Sequence, residues 1–262
     1  MASTELHRTP GWWETVKTVL WALLLAGLFR TLVFQPFWIP SGSMKATLLV
    51  GDFLFVNKWA YGWSRWSCPF GLCPIEGRLW ATLPERGDIV VFHHPVSGAD
   101  YIKRLIGLPG DRVQMRDGVL YLNGAALPRT EAGDFSETYA PQGSAGAMPR
   151  CENRPAPGGD CRKSRGIETL PNGVSYAVLN ITDTSRADNT VEFLVPEGHV
   201  FVMGDNRDNS LDSRFAQAQG GVGFVPLENL VGRADRVLFS SAGTSMLAFW
   251  TWRADRFLHG LH

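Results

Sequence analysis

A single long apolar run near the N-terminus constrains this chain more than any other feature. Residues 12–38 read WWETVKTVLWALLLAGLFRTLVFQPFW. At ~1.5 Å per residue such a run can cross a bilayer core of ~30 Å. Tryptophans stand at both ends, where an amphipathic indole suits the membrane–water boundary. Arg30 lies in the last third, so its guanidinium can reach the far boundary. A cleavable export signal would have a similarly short run, but no small-x-small cleavage site follows Phe29. A buried core helix would leave Trp12, Trp13 and Trp38 oddly placed. The run therefore predicts an uncleaved anchor within residues 1–38. His7, Arg8 and Lys17 against Glu5 and Glu14 give a slight positive-inside bias at the N-terminus.

Lysine plus arginine equals aspartate plus glutamate, 25 against 25, so no net field draws nucleic acid. Ten tryptophans bunch at the two ends and around residues 59–80, which also hints at a membrane interface. The four cysteines form two close pairs, Cys68/Cys73 and Cys151/Cys161. CPFGLC has no histidine nearby, which argues against zinc. Two local disulfides would suit an exported domain, and free thiols a cytosolic one; both readings stay open here, with disulfides favoured.

Beyond the anchor the pattern is mainly β. GDFLFVNKWAYG (residues 51–62) alternates and opens on a Gly-Asp turn, and RGDIVVFHHP ends its short β run at Pro95. Asp117-Gly118 separates VQM from VLYL, a strong hairpin signal. The β pattern covers residues 39–123 and 176–241. Between them, residues 124–175 are rich in alanine, proline, glycine, serine and charges, and read as a β-poor insertion or cap. The tail, 242–262, mixes large aromatics with arginines; it suits either a membrane surface or a surface helix packed on the body.

Three stretches carry chemistry: IPSGSMKATL (39–48), YIKRLIGLPGD (101–111) and GDNRDNSLDSR (204–214). Serine-based peptide hydrolysis needs a base and oxyanion donors. His93, His94 and His199 are weak candidates for the base, since an HHP triplet at a strand end is more often structural. No GxSxG elbow surrounds Ser43, and SxxK fails from Ser41 (Met44) and from Ser43 (Ala46). Lys103 shares a strand face with Tyr101 and Leu105, while Arg104 points the other way. Burial among apolar neighbours would lower its pKa from about 10.4 towards neutrality and make it a base. Lys45 reads as solvated.

With these three stretches in this order, from about Arg30 to Arg233, the chain resembles the bacterial type I signal peptidases, membrane-anchored serine–lysine proteases. The resemblance implies coiled antiparallel β-sheets with one N-terminal transmembrane helix. It implies Ser43 as nucleophile and Lys103 as general base. It places Ser41 with the Ser43 backbone N–H in an oxyanion hole, and Ser210 as the serine that orients the lysine. Asp212 and Arg214 match a structural ion pair, and Asp205, Asn206, Arg207 and Asp208 look architectural. The usual proline of this motif is replaced by Ala46, which removes a stiffening ring but no reacting group. The implied substrates are preprotein signal peptides, with no metal or organic cofactor. The implied location is the bacterial inner membrane, with the catalytic domain on its outer side, near the secretion translocon. The alternative is a membrane-tethered β-rich binding or assembly protein whose dyad is inactive.

Overall fold

The computed structural model describes residues 11–32, 34–68, 71, 73–243, 245, 246 and 248–261. The polar stretch 1–10, the Arg30 side chain and the centre of CPFGLC lie outside the described residues. The long apolar run divides in two. Trp12–Leu32 is α-helical, whereas Phe34–Trp38, which the sequence grouped with the anchor, is a strand. Pro36 is tolerated there because Phe34–Trp38 has a strand on one side only, that of Asp52–Asn57. Among the described residues no helix is long and apolar enough to cross a membrane.

The expected β architecture is present. One antiparallel sheet of eight strands runs in the order Phe34–Trp38, Asp52–Asn57, Leu230–Ser240, Ile89–His93, Asp100–Gly107, His199–Met203 and Val225–Pro226. His259–Gly260 joins it by pairing with Leu230–Ser240. The Ile89–His93 strand is buried on both faces through Phe92, which explains its unbroken apolar run. Val90 and Phe92 pack with Leu105, Val200 and Val202, while Val91 packs with Val56 and Val231. The hairpin of Arg112–Arg116 with Val119–Leu122 turns at Asp117-Gly118, both at positive φ (47° and 74°). That is the primed turn the Asp-Gly pair favours.

The expectation for residues 124–175 is corrected. Residues 124–175 are not β-poor, because Arg129–Thr138 and Asp160–Thr169 are ten-residue strands that pair with each other and with Ser175–Asn180. Their alternation was hidden because the buried face of Asp160–Thr169 is made largely by Cys161, Lys163 and Glu168 instead of aliphatic side chains. Both cysteine pairs are disulfides, with Cα–Cα distances of 5.3 Å for Cys68–Cys73 and 5.2 Å for Cys151–Cys161. The tail forms no packed α-helix; it makes short 3-10 turns at Phe249–Thr251 and Ala254–Arg256. It is pinned by Arg256, whose guanidinium grips the buried Asp52 carboxylate.

Candidate active site

Ser43 sits on the loop joining the edge strand Phe34–Trp38 to its neighbour Asp52–Asn57. Apolar anchors fix that loop: Ile39, Met44 and Leu48 are buried against Leu54 and Ile89. Gly51 closes it at φ 95°, where a Cβ would lie 1.9 Å from the Ser241 carbonyl oxygen. Only glycine suits both the backbone and the space. From the far side, the Asn206 backbone N–H donates to the Ser43 carbonyl (3.0 Å) and its side-chain amide to the Gly42 carbonyl (2.9 Å). Gly204 is needed for this approach, since a Cβ there would stand 2.6 Å from the Ser43 carbonyl oxygen.

Lys103 projects from Asp100–Gly107, two strands in from Leu230–Ser240. Its Nζ lies 2.8 Å from Ser43 Oγ and 2.9 Å from the Ile102 carbonyl oxygen. Both partners are neutral oxygens, and the residue is 4% exposed. Burial therefore lowers its pKa from the ordinary 10.5 to about 8, although Asp212 and Asp205 pull the other way. Those two carboxylates are already committed. Asp205 takes two 2.8 Å bonds from fully buried Arg104, and Asp212 takes two of 2.9 Å from Arg214. The other GDNRDNS side chains are also buried or tied in. Arg207 grips Glu168 bidentately, and Asp208 accepts the N–H groups of Ile181 and Thr182.

Ser41 Oγ lies 3.4 Å from Ser43 Oγ, so the loop brings the two hydroxyls together. Ser210 is buried beside Gly204, but it makes no hydrogen bond to Lys103. Its hydroxyl favours the charged form of Asp212, without a contact of full hydrogen-bond geometry. The expected lysine-orienting contact is therefore absent in this structure. None of the three histidines reaches the site. His94 Nδ1 caps a turn by accepting from the Val96 and Ser97 N–H groups, His93 pairs with Asp100, and His199 bonds its own loop.

Sequence reasoning missed a second buried cluster. Lys45, expected in solvent, is 3% exposed; its Nζ donates to Glu137 Oε2 (2.5 Å) and to Gln142 Oε1 (2.7 Å). Burial lowers its pKa, with Glu137 opposing. Glu137 also receives Lys163. No local signal could have shown this, because Lys45 and Glu137 are 92 residues apart in the chain.

Ser43 and Lys103 open into a groove of about 760 Å³, walled by Phe37, Trp38, Tyr101, Leu211 and Phe215 and rimmed by Arg150 and Arg186. A hydroxyl held on a desolvated amine, in a groove large enough for an extended peptide, is the equipment of a serine–lysine hydrolase.

The comparisons agree with that chemistry. A family model described as signal peptidase, peptidase S26, matches residues 12–239. Signal peptidase I of Rickettsia akari (strain Hartford) is 40% identical over 239 residues, covering 88% of this chain and 79% of the relative. That of Rickettsia typhi (strain ATCC VR-144 / Wilmington) is 40% identical over 241 residues, covering 87% and 82%. A solved signal peptidase I from Enterococcus faecalis V583 is 32% identical, covers 58% of this chain and 97% of that one, and gives a TM-score of 0.31. The chain belongs to the signal peptidase, peptidase S26, family, and it is a serine endopeptidase.

Proposed function

We propose that this protein removes signal peptides from exported preproteins, with Ser43 as nucleophile and Lys103 as general base. The observation that carries the assignment is the 2.8 Å approach of Lys103 Nζ to Ser43 Oγ, with the amine buried among neutral oxygens. In its neutral form the amine takes the Ser43 proton as Oγ attacks the scissile carbonyl carbon. The oxyanion of the tetrahedral intermediate is received by the Ser43 N–H and the Ser41 hydroxyl. The C–N bond then breaks, and the Lys103 ammonium returns the proton to the leaving amine. A water molecule, deprotonated by Lys103, hydrolyses the Ser43 ester. Asp205, Asn206, Arg207, Asp212 and Arg214 hold the lysine strand and the serine loop in register.

We place the protein in the inner membrane with its catalytic domain outside, within reach of the translocon. Support comes from the helix Trp12–Leu32, which exposes Trp12, Trp13, Leu20, Trp21 and Leu23. The two disulfides suit an oxidising compartment. The nucleophile follows that helix after a single strand, Phe34–Trp38, which keeps it close in the chain to the helix's C-terminal end. The groove of about 760 Å³ is large enough for an extended chain. Exposed Phe249, Trp250 and Phe257 of the tail fit an aqueous–lipid boundary.

The test is cleavage of a preprotein by the detergent-solubilised full chain and its Ser43→Ala and Lys103→Ala variants. Wild type is expected to cut after a small-x-small site, and both variants to be folded and inactive. Full activity in Lys103→Ala would move the base elsewhere. A folded wild type that cuts nothing would favour the inactive binding protein.

A further inference from the structure

The serine loop is held from two sides. Asn206, three residues beyond the His199–Met203 strand, donates to the Gly42 and Ser43 carbonyls, as described above. From the opposite side, Lys45 folds its stem back over Gly42, where a Cβ would meet Lys45 Cε at 3.3 Å. Its amine then reaches into the inserted sheet to Glu137 and Gln142. Lys45 is only two residues from Ser43, and the loop tightens between them with a Lys45 N–H bond to the Gly42 carbonyl (3.3 Å). A shift of Lys45 is therefore a shift of Ser43.

The charge arrangement separates this tie from ordinary structural support. Glu137 serves two lysines, Lys45 and Lys163. Two buried cations on one carboxylate leave the cluster one charge in excess. For stability alone, Lys163 would satisfy Glu137, and a methionine in place of Lys45 would fill the same stem without a buried charge. The second lysine adds a tether between the inserted sheet and the nucleophile loop.

We propose that Lys45 and Glu137 are positioning residues that set the Ser43 hydroxyl against Lys103, making the inserted sheet of Arg129–Thr138 and Asp160–Thr169 part of the catalytic apparatus. This rests on the reading of Ser43 as nucleophile. Neither residue touches substrate; both act through the loop. A displacement near 1 Å of a reacting atom is enough to cost on the order of 100-fold in rate.

The experiment measures kcat, KM, the pH midpoint of activity and Tm for the full chain in detergent, with Lys45→Met, Glu137→Gln and Ser43→Ala beside wild type. Lys45→Met is expected to keep or raise Tm while kcat falls on the order of 100-fold, with KM within about twofold. Its pH midpoint should stay near that of wild type, since the burial that lowers the Lys103 pKa does not depend on Lys45. Glu137→Gln retains an acceptor for Lys45 and is expected to lose kcat in the same direction, but less. A folded Lys45→Met with kcat within about threefold of wild type, or with the loss in KM alone, would overturn the proposal. Should Lys45→Met not fold, Glu137→Gln decides: reduced kcat supports the tether, and wild-type kcat refutes it. An inactive Ser43→Ala beside a fully active Lys45→Met would sink only this inference, whereas an active Ser43→Ala would sink the nucleophile assignment as well.

Discussion

Raising the pH through the range where Lys103 loses its proton tests the site directly. Below its pKa the amine is an ammonium and cannot accept the Ser43 proton. The structure buries Lys103 and gives it only neutral oxygens as hydrogen-bond partners, which brings its pKa to about 8. At pH 7 about 9% of molecules then carry the neutral amine, against about 0.03% for a lysine titrating at its ordinary value. Burial alone thus raises the competent fraction about 300-fold. In kcat/KM for a peptide without titrating side chains, the expected profile climbs about tenfold per pH unit below 7 and levels above about 8. Between pH 6 and pH 8 the gain is about 50-fold. Stopped assays with a folded-state check at each pH measure this. A break near 6.5 would point to a histidine, and a climb continuing to pH 10 would show that Lys103 is solvated in the working enzyme. A flat profile would remove lysine from the mechanism.

Further outcomes follow from the same buried charges. Because the folded pKa of Lys103 lies below the unfolded value, its contribution to stability is complete only above about 10.5 and is lost as pH falls through about 8. Lys103→Met is therefore expected to be inactive yet more stable at pH 7 by up to about 3 kcal/mol, with the gain shrinking towards pH 10 in urea titrations; destabilisation at pH 7 would refute this. Asp205→Asn leaves the fully buried Arg104 without its carboxylate and should lower unfolding free energy by about 3–5 kcal/mol in the same titrations. A loss below about 1 kcal/mol would mean that water reaches Arg104. Reducing Cys151–Cys161, which closes a segment of sequence separation 10, should cost about 2–3 kcal/mol by thermal melts with and without reductant; an unchanged Tm would refute the constraint.

The sequence made the β scaffold legible wherever side chains alternate or turns need special backbone. Asp117-Gly118 announced its hairpin, and RGDIVVFHHP announced a short strand, which the structure covers on both faces. The pairing of Ser43 with Lys103 was legible only through the resemblance carried by three stretches in order; the Lys103 stretch alone suits an ammonium tip in water. What failed was local reading of charged residues. Lys45 beside a loop serine looks solvated, and only a partner 92 residues away buries it. The same blindness hid the inserted sheet, whose inward positions include Lys163 and Glu168, satisfied by Glu137 and by Arg207 with Tyr176. Hydropathy periodicity cannot see a face built of paired charges. The Phe34–Trp38 strand was lost for the opposite reason: its aromatics continue the helix's apolar run, and nothing in the sequence marks the change of period at Leu32.

Buried charge also explains how a lysine can stay uncommitted amid carboxylates. Asp205 and Asp212 both attract the Lys103 ammonium, and either as a direct partner would hold the proton on it. Each is instead occupied by a guanidinium that presents two N–H groups in the plane of the carboxylate. Arg104 and Lys103 are consecutive on one strand, so the alternation that sends the lysine to the serine sends the arginine to Asp205. Arg214 is two residues beyond Asp212 and closes on it within the same turn. An arginine stays charged at any pH the protein meets, so neither carboxylate is released to Lys103 as the solution becomes alkaline. The arginine pairs thus do more than hold the loops together. They keep the carboxylates occupied beside the amine proposed here as the base.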